Sequence, residues 1–237
     1  MEAIVLVGGL GTRLRGVVDD RPKPMAAVRG RPFLAFVLDR MVESGFTRAV
    51  LAAGYRHEAL RAHFGDDYRG LELVYSIEDA PLGTGGAIRL ACERVTARDV
   101  FVVNGDTYLE VDYRAMLRAH VGAGASLTIA VCRVADASRY GALEMAGDRV
   151  TGFEEKSRSG PGWINGGTYV LARPVLGRLP GDGAFSFEAF LDREVADLRP
   201  RGFPCSGAFI DIGTPDDYAR AEALLPAYPL PRSAPCS

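Results

Sequence analysis

Lysine, asparagine and glutamine are nearly missing from this 237-residue sequence. Only Lys23 and Lys156 are lysines among 28 basic residues, Asn104 and Asn165 are the asparagines, and there is no glutamine. Where arginine fills almost every basic position, a surviving lysine marks a place where a compact, mobile ammonium is hard to replace. Chance survival accounts equally well for any one of the four, so their surroundings have to decide. A charge excess is missing too. The formal net charge is -2, so no basic face offers itself to nucleic acid and no polybasic tract to a membrane surface. The longest apolar runs, such as Ala3 to Val7, fall far short of a bilayer span. At the N-terminus Glu2 stands where a signal peptide carries positive charge, and Gly8-Gly9 breaks the apolar stretch; the expectation is a cytoplasmic protein. The four cysteines (Cys92, Cys132, Cys205, Cys236) lie far apart with no Cys-x-x-Cys, and read as small buried hydrophobes or free thiols. With His57, His63 and His120 scattered, no zinc set is formed.

What is present is a strand–helix rhythm. Ala3 to Val7 reads as a buried strand, Pro32 to Ser44 as a helix stopped by Gly45, and Ala49 to Ala53 as a second strand. A short helix over Glu58 to Phe64, a strand over Leu71 to Ile77, a helix over Gly83 to Val95 and a strand over Val100 to Val103 follow. This βαβα order predicts an α/β fold: a Rossmann-like, mixed but mostly parallel sheet with helices on both faces. The rhythm then changes. Ser126 to Val134, Ala142 to Ala146, Val150 to Glu155 and Gly167 to Leu171 read as strands joined by short polar turns, the mark of a smaller β-rich lobe. A helix over Phe185 to Leu198, a strand over Ser206 to Ile212 and a helix over Pro215 to Leu224 complete it. No linker separates two independent units. The expected organisation is one domain over residues 1–226, with 1–125 as its α/β part and 126–226 as its β-rich part, followed by a Pro-rich tail over 227–237.

Two motifs carry chemistry. Gly8-Gly9-Leu10-Gly11-Thr12-Arg13-Leu14 follows the first strand. Glycines there permit a sharp turn and bring bare N–H groups against a polyanion, and an arginine in the loop neutralises phosphate oxygens. The plain alternative is a tight turn between strand and helix. The spacing is neither Gly-x-Gly-x-x-Gly nor that of a P-loop, which disfavours a dinucleotide-dependent dehydrogenase. In Arg21-Pro22-Lys23-Pro24-Met25 two prolines restrict the backbone around one of the two lysines and hold its neighbours extended, as aiming a charge at a fixed target requires.

These motifs resemble the signature of the sugar-phosphate nucleotidylyltransferases, or NDP-sugar pyrophosphorylases. The resemblance runs in order through Pro81-Leu82-Gly83-Thr84-Gly85-Gly86, Asn104-Gly105-Asp106, Glu155-Lys156, Asn165-Gly166-Gly167 and Phe209-Ile210-Asp211-Ile212-Gly213-Thr214-Pro215. Within the family the chain looks most like the guanylyltransferases acting on D-glycero-D-manno-heptose 1-phosphate. The activity so implied joins a sugar 1-phosphate to a nucleoside triphosphate, GTP by the subgroup, and releases pyrophosphate. Neither nucleic acid nor membrane is an expected partner, and a homo-oligomer is compatible with this reading.

The resemblance also implies roles, with residues 1–125 mainly nucleotide-binding and 126–226 mainly sugar-binding. Arg13, Lys23 and Asp106 serve catalysis, the first two on triphosphate oxygens. Leu6, Gly8, Gly9, Gly11, Thr12, Glu78, Pro81, Gly83, Thr84 and Gly105 bind the nucleotide. Glu78 is the expected reader of guanine, because a carboxylate accepts hydrogen bonds from N1–H and the exocyclic amine; the plain alternative is a solvated charge at a strand end. Asn104, Tyr140, Gly141, Glu155, Lys156 and Asn165 hold the sugar phosphate. The family's proline after the lysine is replaced by Ser157. Asp106 and Asp211 are expected to hold Mg²⁺, whose hard-oxygen preference they suit. Other readings keep the fold: a uridylyltransferase for a hexose or amino-sugar 1-phosphate, a cytidylyltransferase for phosphocholine, or a nucleotide-sugar-binding protein without turnover.

Overall fold

The structure is a computed structural model and describes residues 1–8, 22–54, 57–140, 142–154 and 160–225. Its first half contains β1 (Glu2–Leu6), the short β2 (Ala27–Val28) and β3 (Arg31–Pro32), α1 (Phe33–Ser44), β4 (Arg48–Ala53), α2 (His57–Phe64), β5 (Asp67–Tyr68) and β6 (Leu71–Ile77). Then come α3 (Gly83–Ala91), β7 (Asp99–Asn104), β8 (Thr107–Leu109) and α4 (Tyr113–Gly122). The second half runs β9 (Leu127–Val134), β10 (Ala142–Ala146), β11 (Arg149–Phe153), β12 (Gly162–Ala172), α5 (Arg173–Leu176), α6 (Phe187–Leu198), β13 (Arg201–Cys205), β14 (Phe209–Asp211) and α7 (Pro215–Leu224).

Ten strands form one continuous sheet in the order β10-β11-β13-β9-β12-β7-β1-β4-β6-β5. From β7 to β6 the neighbours are parallel, as crossovers through helices require. Beyond β7 the sheet turns mostly antiparallel, starting with β12 against β7 and β9, while β13 runs parallel to β9. Alternation along the central strands sends side chains into two cores, one per face. Ala3, Val5 and Val103 pack with α1, α2 and α4 through Phe36, Phe64 and Met116. Ile4, Val102 and Ile129 pack with α3 and α6 through Ile88, Phe187 and Phe190. The expected α/β sheet with helices on both faces is found.

Local chemistry explains most boundaries. Gly45 ends α1 at φ +81, its N–H and that of Phe46 closing on the last carbonyls. Thr214 caps α7 by accepting from the Asp217 N–H, with Pro215 at the first helical position. Three expectations are corrected. The strand expected over 206–212 is the shorter β14, and β13 before it was not expected; Pro204 sits in β13 opposite Val131 of β9, and its missing N–H hides the strand from pattern reading. The strand expected from Gly167 begins at Gly162, its register shifting between Asn165 and Tyr169. The segment from Lys23 to Met25 is not extended but forms a 3₁₀ turn, with the Met25 N–H donating to the Pro22 carbonyl. Helix α4, capped by Asp112, has no counterpart in the sequence-based expectation.

Candidate active site

The site grows from the carboxyl end of β7. Asn104 makes the last β7 pairing, with Leu6 of β1; Gly105 and Asp106 follow it, and β8 begins at Thr107. Gly105 is pinned to the neighbouring strand end, its N–H donating to the Leu6 carbonyl at 2.9 Å. A Cβ there would lie 2.8 Å from that same oxygen and from Val7 Cγ1, so only glycine fits. Asp211 is delivered by the short antiparallel ladder of β14 on β8, in which it stands opposite Thr107. The Ile212 N–H also donates to the Asp106 carbonyl at 3.2 Å. Register therefore sets the two aspartates side by side.

Lys23 reaches them from the first half. Buried Pro24 and Met25 anchor its turn, and its Nζ lies 2.5 Å from Asp106 Oδ2 and 3.3 Å from Asp211 Oδ1. Burial alone depresses the ammonium's pKa, but the two carboxylates outweigh it and hold the pKa above the ordinary lysine value. For Asp211, burial and then the like charge of Asp106 raise the carboxyl, against the pull of Lys23. Two hard carboxylate oxygens thus converge on one cationic centre. Among the described residues no group of three or more His, Cys, Asp and Glu is placed to hold a metal.

Beside this triad opens a cavity of about 290 Å³. Asn104, Thr107, Tyr140, Asn165 and Asp211 line it, together with Arg139, Gly167, Tyr169, Glu188, Phe209, Gly213, Thr214 and Asp217. Gly167, at φ +70, lies under the Asn104 side chain; a Cβ would come within 2.9 Å of its Nδ2. Asn165 is locked in place, its Oδ1 accepting from the Gly167 N–H at 3.0 Å and its Nδ2 donating to the Tyr169 hydroxyl at 2.6 Å. Tyr140 packs edge-on against Phe209. Arg139 bridges to Asp217 and Thr214 at the start of α7.

Sequence reasoning picked Lys23, Asn104, Asp106, Tyr140, Asn165 and Asp211, and the structure brings these together. It did not pick Arg139, Tyr169, Glu188 or Asp217. Tyr169 was legible as the partner two and four residues along β12 from Gly167 and Asn165. Arg139 adjoins Tyr140. Glu188 and Asp217 read as ordinary acids in the first turn of a helix.

The remaining expected nucleotide residues form a second group. Gly8 follows β1, its N–H bonded to the Ala52 carbonyl, and Glu78 follows β6. Glu78 Oε2 accepts from the Leu82 N–H at 3.1 Å, while Oε1 lies 2.6 Å from where a Cβ on Gly54 would sit. Pro81 is exposed and leads into α3. Gly83 has φ +69 and lies against the Phe185 carbonyl. The Thr84 hydroxyl donates to Glu188 Oε2 at 3.0 Å and accepts from the Phe187 N–H at 2.8 Å. Gly9, Gly11, Thr12, Arg13, Gly141, Glu155 and Lys156 lie outside the described residues.

A family model described as nucleotidyl transferase matches residues 2–227. A D-glycero-alpha-D-manno-heptose 1-phosphate guanylyltransferase of Aneurinibacillus thermoaerophilus is 42% identical over 229 residues, covering 96% of this chain and all of that protein. One from Campylobacter jejuni is 37% identical over 92% of this chain and 97% of its own length. The crystal structure of HddC from Yersinia pseudotuberculosis complexed with GMP-PN superposes with a TM-score of 0.83 at 35% identity, covering 94% of this chain and 98% of HddC. With paired aspartates at a parallel-sheet crevice and a family match that spans nearly every residue, this chain belongs to the nucleotidyl transferase family.

Proposed function

We propose that the chain transfers the guanylyl group of GTP to D-glycero-α-D-manno-heptose 1-phosphate and releases pyrophosphate. A phosphate oxygen of the sugar phosphate forms the new bond to the α-phosphorus, and the bond from that phosphorus to the bridging oxygen of the β-phosphate breaks. The nucleophile is already anionic near neutral pH, so the site needs alignment and charge neutralisation rather than a general base. The observation that carries this reading is the convergence of Lys23, Asp106 and Asp211 beside a polar cavity. The relatives' names supply the base and the sugar.

Asp106 and Asp211 fit Mg²⁺, which takes one or two protein carboxylates and fills its remaining positions with water and substrate phosphates. Bound there, the ion would neutralise phosphate charge. Lys23 spans the same two oxygens in the structure; once they are neutralised otherwise, its ammonium is free to turn to the triphosphate. Arg13 and the Gly9, Gly11 and Thr12 loop complete the phosphate cradle in this reading. Leu6 and Gly105 form its floor, and Glu78, Pro81, Gly83 and Thr84 flank the base. Asn104, Tyr140, Gly141, Glu155, Lys156 and Asn165 take the sugar phosphate.

The test is Mg²⁺-dependent pyrophosphate release for GTP, ATP, UTP, CTP and dTTP against heptose, mannose, glucose and amino-sugar 1-phosphates. The heptose phosphate with GTP should give the highest kcat/KM. A higher value for another base or sugar replaces the assignment, and no release from any pair defeats the catalytic reading.

A further inference from the structure

Glu188 is the one carboxylate of the cavity lining that neither Lys23 nor an arginine neutralises among the described residues. It sits in the first turn of α6, and Ser186 and Thr84 hold it from two sides. Both hydroxyls donate to the same oxygen, Oε2, at 2.8 and 3.0 Å. Each hydroxyl is itself fixed: Ser186 accepts from the Ala189 N–H, and Thr84 accepts from the Phe187 N–H. The carboxylate is therefore oriented by groups that satisfy only half of it. Oε1 has no donor among the described residues.

Next to it along the cavity wall stands Tyr169, 1% exposed. Its hydroxyl accepts from Asn165 Nδ2, which leaves its own proton available for donation. Burial and then the nearby negative charge of Glu188 raise the tyrosine's pKa, so the phenol remains a neutral donor. Together the fixed carboxylate oxygen, the phenol and the spare Asn165 N–H present an acceptor, a donor and a donor to one space. A lone carboxylate repels phosphate, so its natural partner is an uncharged hydroxyl, and a charged acceptor is the stronger choice for one.

We propose that Glu188 is a specificity-determining residue that accepts a hydrogen bond from a hydroxyl of the sugar ring or its side chain, with Thr84 and Ser186 as its positioning residues. This rests on the nucleotidyl-transfer reading and adds to it the group that identifies the acceptor. It also gives Thr84 a second task. The segment expected to flank the base carries, through one hydroxyl, the residue that reads the sugar.

The experiment compares Glu188→Gln and Glu188→Asp with the wild type in pyrophosphate release, using heptose 1-phosphate, mannose 1-phosphate and their mono-deoxy analogues. Glu188→Gln should raise KM for the sugar phosphate about tenfold or more, the scale of a hydrogen bond to a charged group, and leave KM for GTP within about twofold. One deoxy analogue should show almost no difference between wild type and variant, which names the hydroxyl. Glu188→Asp, too short to reach while held by Thr84, should resemble Glu188→Gln in KM. Melting temperatures of both variants distinguish misfolding from lost recognition. Should Glu188→Gln misfold, Glu188→Asp alone carries the KM comparison. A wild type that turns over while folded variants keep its KM for every sugar phosphate overturns this inference alone. A wild type that releases no pyrophosphate with any pair overturns the functional reading and this inference with it.

Discussion

The two halves of the ten-stranded sheet present their functional side chains differently. In the parallel half every carboxyl end lies along one edge, so Gly8 after β1, Gly54 after β4, Glu78 after β6 and Asn104-Gly105-Asp106 at the end of β7 all face one crevice. In the antiparallel half strand ends alternate, and no shared edge exists. There the cavity is lined from the middle of β12, where the register shift between Asn165 and Tyr169 re-aims the side chains, and from the first turns of α6 and α7. The parallel half offers post-strand motifs that collect charge. The antiparallel half offers a polar cavity wall built from an irregular strand and helix starts.

That contrast can be broken first by kinetics. Asp106→Asn should lower kcat by about a hundredfold or more, as expected when a preorganised electrostatic contact to the reacting phosphates is lost. Asn165→Ala should chiefly raise KM for the sugar phosphate, by about tenfold, since it removes a cavity contact and releases Tyr169. Equal effects of the two substitutions on kcat and on both KM values would erase the division between the halves.

A smaller effect concerns how the parallel half holds its edge. Gly105→Ala sets a Cβ against the Leu6 carbonyl and Val7, an overpacking that costs about 1–3 kcal/mol and lowers Tm by roughly 2–4 °C per kcal/mol. Gly122→Ala, at the exposed end of α4 with nothing within 4 Å of the added carbon, is the control and should leave Tm unchanged or slightly raised. Thermal denaturation of both variants reads the difference, and equal Tm values would remove the packing argument.

The smallest effect lies at the junction of the halves. His120 of α4 is 1% exposed; its Nδ1 lies 2.9 Å from Thr128 Oγ1 of β9 and its Nε2 3.5 Å from Asp99 Oδ1 of β7. Burial depresses its pKa more than Asp99 raises it, leaving it below the ordinary 6.5. Below that pH the unfolded chain takes up a proton that the folded one refuses. The contribution is therefore present above about 6.5 and lost as pH falls toward the lowered folded value. Over pH 8 to 5 the wild type should lose more Tm than His120→Gln; parallel curves would show that His120 does not titrate with folding.

Much of this was legible in the sequence, and unevenly so. Phe33 to Ser44, Leu71 to Ile77, Ala142 to Ala146 and Pro215 to Leu224 announced their elements because period, caps and glycine stops agreed. Gly162 to Gly166 did not read as strand, because glycines and a shifted register weaken alternation. Arg201 to Cys205 did not either, because Pro204 is tolerated only through the particular neighbour it faces. The site divides the same way. Asp106 stood at a strand end and Asp211 near one, whereas Glu188 looked like any acid opening a helix.

The sequence by itself determined most of the strands and singled out the few residues expected to carry the chemistry, because periodicity, turn-formers and the two surviving lysines are local properties of the chain. Only the tertiary structure decided that Lys23 meets partners 83 and 188 positions away, and that Thr84 and Ser186 fix a third carboxylate across the cavity. Those meetings depend on the register of β14 on β8 and on the packing of α6 against α3, which are relations between distant segments that no local pattern encodes.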